Sequence, residues 1–177
     1  IFWRPGGEPV FKLMNEVHYD AICVGNREFH FLEPGMTAKT AGARFPVLSA
    51  NIRATAPMRT LPAKPCEVFE REGIRLGVFG LSVPCVTQRM LVKSVSAYYF
   101  EDPIPAAREV LTRLRDNCDI VIGLTHIGIK RDRELARSTE GIDLILGGHT
   151  HTVTVEPEVV ERTTILHHGC FAHYVGK

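Results

Sequence analysis

The sequence predicts an α/β sandwich built on a largely parallel or mixed sheet, and three observations carry that expectation. Short apolar runs rich in Val, Ile and Leu recur along the chain, as buried strands require. Stretches with helical spacing or turn residues separate them. The 177 residues, 45% hydrophobic and 23% charged, suffice for one domain with a sizeable core.

In chain order, Pro9–Val17 has helical spacing and leads into a first strand at Ala21–Gly25, which runs out at Asn26. Phe45–Asn51 reads as a second strand, and Glu67–Glu72 as a third that turns at Gly73 into Arg75–Ser82. Pro103–Asn117 is an amphipathic helix with Ala107, Val110, Leu111 and Leu114 on one face. Asp102 ahead of Pro103 marks its start, since proline is tolerated in a first turn. Asp119–His126 is a strand, and Arg131–Gly141 a charged helix with a glycine C-cap. Ile142–Gly148 and Thr163–Gly169 complete the strands.

Formal net charge is +1 with scattered basic residues, which argues against a nucleic-acid polymer as partner. No apolar run reaches the ~20 residues of a membrane span. Five cysteines, singly spaced, read as buried thiols, not a zinc ribbon or a disulfide framework.

In open α/β sheets ligands gather outside the carboxyl ends of strands. Here those ends carry Asn26, His126, His149 and His151, donors that suit Zn²⁺, Mn²⁺ or Fe²⁺. A single histidine after a strand is more often a hydrogen-bonded surface residue than a ligand; repeated endings of this kind favour a metal site. Two side chains two apart in an extended turn point the same way, so His149 and His151 would reach two metals side by side. His168 and His173 read instead as hydrogen-bonded core or surface imidazoles; His18, where a turn follows a helix, and His167, at the end of a strand, are weaker candidates too.

The segments GNREFH (25–30), LTHIG (124–128) and GIDLILGGHTH (141–151) resemble the ordered motifs of calcineurin-like metallophosphoesterases. The nearest branch is the catalytic domain of the 5′-nucleotidases, whose motifs read GNHEFD, L-S-H-x-G and GIDLILGGHTH. The resemblance covers nearly the whole chain. It implies an αββα four-layer sandwich of mixed sheets flanked by helices, with residues 1–177 as the metallophosphoesterase catalytic domain. It also implies two divalent ions activating a hydroxide against a small phosphate ester or nucleotide. Asn26, His126 and His149 would then bind one metal and His151 the other.

This sequence departs from the family pattern in two places. The D-x-H and G-D motifs of the first strands do not precede the first helix, so the chain reads as N-terminally incomplete, with at most one metal expected from its own residues. Arg27 and His30 stand where the family has His and Asp. Arg27 can hold a phosphate by charge and paired donors but cannot act as a general acid. His30 would take the proton-donating role; alternatively Arg27 pairs with Glu28 or another carboxylate and His30 only packs nearby. The rival functions are a catalytically silent metal- or phosphate-binding module and a thiosulfohydrolase-like member of the family.

Overall fold

The computed structural model describes residues 8–29, 32–56, 61–85 and 97–176. A six-stranded mixed sheet forms the centre. Its inner strands β5 (Ile74–Ser82), β7 (Ile120–His126), β8 (Leu144–Gly147) and β10 (Thr163–His167) run parallel and in that order. Antiparallel β4 (Cys66–Arg71) and β9 (Glu158–Val160) close the two edges. Two small sheets lie apart: parallel β1 (Ile22–Cys23) with β2 (Val47–Leu48), and antiparallel β3 (Ile52–Ala54) with β6 (Tyr98–Phe100). The helices are α1 (Glu8–Glu16), α2 (Leu32–Thr40), α3 (Pro103–Leu114) and α4 (Ile129–Ser138).

The main core lies between one face of the large sheet and helices α3 and α4. Phe79, Leu81, Val121, Ile145 and Ile165 from the strands meet Ala107, Val110, Leu111, Leu114 and Leu135 from the helices. Arg133 on α4 forks onto Glu158 of β9 at 2.7 and 2.8 Å, fastening the helix to the sheet edge. A second, smaller core joins Val24, Met36, Val47, Ile52, Tyr98 and Phe100 beneath the small sheets.

Asp102 caps α3 as expected, its Oδ1 accepting from the Ile104 amide at 2.9 Å. The long strands fall within a few residues of their expected bounds. Other expectations need correction. Strands this apolar read as buried, yet on the face away from α3 and α4 Ile122, Leu124, Leu144, Leu146 and Leu166 are only half-buried. Phe45–Asn51 contributes only the two residues of β2, which pairs with the equally short β1 and, at Leu48, bridges Lys64. The charged helix begins two residues early at Ile129 and stops at Ser138, where Thr139 turns extended, so Gly141 is no C-cap. Helix α2 went unrecognised because Pro34 and Gly35 mask its pattern; proline fits there, since first-turn amides have no helical partner. The five thiols are free but partly buried, not fully buried. Burial pushes the Cys23 thiol up to about 12.

A close approach holds the two parts together. A Cβ at Gly80 on β5 would lie 2.5 Å from the Leu48 carbonyl of β2. Leu48 O in turn accepts from Val24 N at 3.1 Å, just before Gly25 and Asn26. Gly80→Ala is therefore expected to destabilise the fold by about 1–3 kcal/mol, the usual cost of overpacking. A denaturation midpoint equal to the parent's would contradict this packing.

Candidate metal centre

The inner strands end nearly in one row, with Ser82 of β5 opposite His126 of β7. His126 lies a hundred residues from Asn26, and a buried polar network brings the two together. Asn51, fully buried, takes the Ser82 amide on its Oδ1 at 2.8 Å and donates through Nδ2 to Ser82 O (2.8 Å) and Glu101 O (3.1 Å). Ser82 Oγ donates to Val24 O at 2.7 Å, fixing the exit of β1 beside the end of β5.

Beyond that exit, Asn26–Phe29 forms a single 3₁₀ turn. Glu28 reaches back to accept the Gly25 amide at 2.8 Å, satisfying a donor the turn cannot. Buried Lys39 of α2 donates to Arg27 O at 2.9 Å and clamps the turn from the other side. The result places Asn26 Oδ1 2.9 Å from His126 Nε2.

The His149 ring stands edge-on to His126, centroids 5.0 Å apart. His151 is exposed, and its ring lies 5.4 Å from that of Phe171. The stretch is not the extended turn expected of it. His149 has φ 81° and His151 φ 56°, left-handed values that cost a non-glycine residue roughly 1–3 kcal/mol and cluster at functional sites. Thr150 between them anchors the loop: its Oγ1 accepts the Ile129 amide at 3.2 Å and meets Thr152 Oγ1 at 3.0 Å.

Burial, with the neighbouring His149 and His151, pushes the His126 pKa down to about 4. At neutral pH its ring is therefore uncharged, the state a metal ligand needs. Adjacent donors on a cation with bonds of ~2.0–2.2 Å stand about 3 Å apart, so the Asn26–His126 spacing fits two cis ligands once Nε2 is unprotonated. Among the described residues no three His, Cys, Asp or Glu side chains converge to hold a metal; the Asn26 amide is needed to build a donor set with His126 and His149.

Arg27 is exposed beside this site, and its guanidinium pairs with no carboxylate among the described residues, so the expected alternative of a Glu28 pair does not hold. His30 lies outside the described residues. A cavity of about 240 Å³ opens here, lined by Phe11, Met14, Cys23, Arg27, Glu28 and His126 among others. Sequence reasoning missed the roles of Glu28, Lys39, Ser82 and Asn51. The Glu three residues after Gly25 is the one capping signal that could have been read. His167, at the end of β10, is buried with its ring joined to Asp132.

No protein family model matches the chain. A 5′-nucleotidase of Vibrio cholerae serotype O1 is 30% identical over 157 residues, covering 81% of this chain and 28% of that protein. The trifunctional nucleotide phosphoesterase protein YfkN of Bacillus subtilis is 30% identical over 202 residues, covering 93% of this chain and 14% of that protein. Among solved structures, a 5′-nucleotidase precursor from Thermus thermophilus aligns with a TM-score of 0.80 at 27% identity, over 94% of this chain and 36% of that one. The sulfate thiohydrolase SoxB of the same organism aligns with a TM-score of 0.76 at 27% identity, over 90% of this chain and 29% of that one. The calcineurin-like phosphoesterase YfkN from Bacillus subtilis shares the fold, with a TM-score of 0.75 at 23% identity, over 91% of this chain and 57% of that one. The chain spans less than a third of the length of these curated relatives.

In the metal-free protein, folded His126 binds its proton near pH 4, whereas an unfolded histidine binds one near 6.5. Across that window the unfolded chain holds the extra proton, so the fold loses stability as pH falls from 6.5 toward 4. His126→Asn is expected to flatten that part of the stability profile. An unaltered slope in the variant would assign the loss to other groups.

Proposed function

We propose that this chain, a homologue of 5′-nucleotidases with the fold of a calcineurin-like metallophosphoesterase, is the catalytic part of a metal-dependent hydrolase of phosphate esters. The observation that supports the reading most is the 2.9 Å approach of Asn26 Oδ1 to His126 Nε2, with His149 edge-on beside it. These residues would hold one divalent cation, Mn²⁺, Zn²⁺ or Fe²⁺, and His151 would face a second. Bound there, such cations neutralise charge on phosphoryl oxygens and acidify water for attack on phosphorus.

The protein's own groups supply the rest. His126 stays neutral and offers a lone pair. Glu28 and Lys39 hold the turn that orients Asn26. Arg27 presents fixed charge and paired donors to the phosphoryl group. It keeps its proton, so it does not protonate the leaving oxygen. Esters with good leaving groups should therefore react best. The relatives' names make a nucleotide the substrate class of first choice. The SoxB likeness favours a second reading, hydrolysis of a sulfur ester on the same site.

The test uses the full-length protein, stripped of metal and reloaded with Mn²⁺, on p-nitrophenyl phosphate, a nucleoside monophosphate and a thiosulfate ester. Metal-dependent phosphate release is expected. His149→Ala should lower it by more than ~100-fold, beyond the ~10–100-fold typical of changes around a ligand. Full activity in that variant would sink the assignment, and turnover of the thiosulfate ester alone would select the second reading. Arg27→Ala should raise KM for p-nitrophenyl phosphate about tenfold, the loss of one charge-assisted contact. An unaltered KM would leave Arg27 outside the substrate site.

A further inference from the structure

We propose that Asp132 and His167 are positioning residues for the metal-ligand loop at Gly148 and His149, an inference that rests on the phosphoesterase reading above. Asp132 lies in the first turn of α4 and His167 is the last residue of β10; they are 0% and 1% exposed. Asp132 Oδ2 and His167 Nε2 stand 2.7 Å apart.

The bond sits against the backbone of Gly147. A Cβ there would lie 2.0 Å from His167 Nε2 and 2.5 Å from Asp132 Oδ2, closer than any real side chain tolerates. Gly147 is the register partner of His167 on one side and of Thr125 on the other. It stands two residues before His149, and Thr125 stands one residue before His126. One buried hydrogen bond thus abuts the point from which both ligand-bearing strands leave the sheet.

Its place in the chain makes the same link. The Asp132 amide donates to Gly128 O at 3.0 Å, two residues after His126. Asp132 therefore ties the turn after His126 to the strand beside His149. Asp132 Oδ1, His167 Nδ1 and Thr125 Oγ1 are buried nearby without a hydrogen-bond partner among the described residues. Well-packed apolar residues of similar volume often replace a buried ion pair without loss of stability. What the polar pair adds is a direction-dependent contact that fixes one backbone position, as hydrogen bonds behind metal ligands do elsewhere.

The test compares the full-length parent with His167→Phe and His167→Gln, reading calorimetric Mn²⁺ binding to metal-stripped protein, kcat and KM for p-nitrophenyl phosphate, and the thermal midpoint. His167→Phe fills the space without the bond, and is expected to weaken Mn²⁺ binding about 10–100-fold and to lower kcat while KM holds. His167→Gln, whose amide reaches the same carboxylate, should recover most of that loss. Asp132→Asn should weaken Mn²⁺ binding in the same direction, and decides the matter if the phenylalanine variant does not fold. Parental Mn²⁺ binding and kcat in His167→Phe or Asp132→Asn, with only thermal stability lowered, would overturn the positioning role. So would a glutamine variant no better than phenylalanine. A parent that binds no Mn²⁺ would overturn this inference together with the phosphoesterase reading; a parent that binds it, with unaffected variants, would overturn this inference alone.

Discussion

The parallel register of β5, β7, β8 and β10 is the constraint on which the rest depends. Leu81, Thr125, Gly147 and His167 lie side by side across four strands, and the next row begins with Ser82 and His126. Side chains alternate between faces, so one register fixes which residues enter the α3–α4 core and which stand at the edge. A slip of one residue between β7 and its neighbours would carry His126 to the other face and break the core that holds Phe79, Val121, Ile145 and Ile165.

The candidate site uses that edge as a fixed platform and brings the other donors to it. Asn26 arrives through hydrogen bonds that join Val24, Ser82 and Asn51, not through direct pairing of β1 with β7. His149 arrives in a left-handed conformation, held by the Thr150 anchor beside the start of α4. Burial, with His149 and His151 nearby, disfavours the protonated form of His126, and that is the electrostatic environment in which a cation can replace a proton. Arg27, exposed and unpaired with any carboxylate among the described residues, adds positive charge where an anionic substrate would approach.

Much of this was legible in the sequence, for definable reasons. Strands of five or more residues such as β5, β7 and β10 show their apolar pattern locally, and Asp102–Pro103 announces α3. The three-residue strands β3, β6 and β9 do not, because each is too short to show a pattern and exists only through its pairing partner. Asn26, His126 and His149 were readable as polar residues at strand ends, and the structure brings them together. The turn at His149–His151 was not, since left-handed backbone at non-glycine residues carries no composition signal. Asp132 and His167, thirty-five residues apart, meet only because α4 lies over Gly147; neither spacing nor motif encodes that contact.

The central claim is that the Asn26–His126 approach is one side of a cation site. The most direct measurement is a crystal structure of the full-length protein soaked in Mn²⁺, with anomalous scattering recorded at the manganese edge. The account predicts an anomalous peak bonded at ~2.0–2.3 Å to Asn26 Oδ1, His126 Nε2 and a His149 ring nitrogen. An amide oxygen and imidazole still hydrogen-bonded at 2.9 Å, with manganese absent or bound elsewhere, would contradict it.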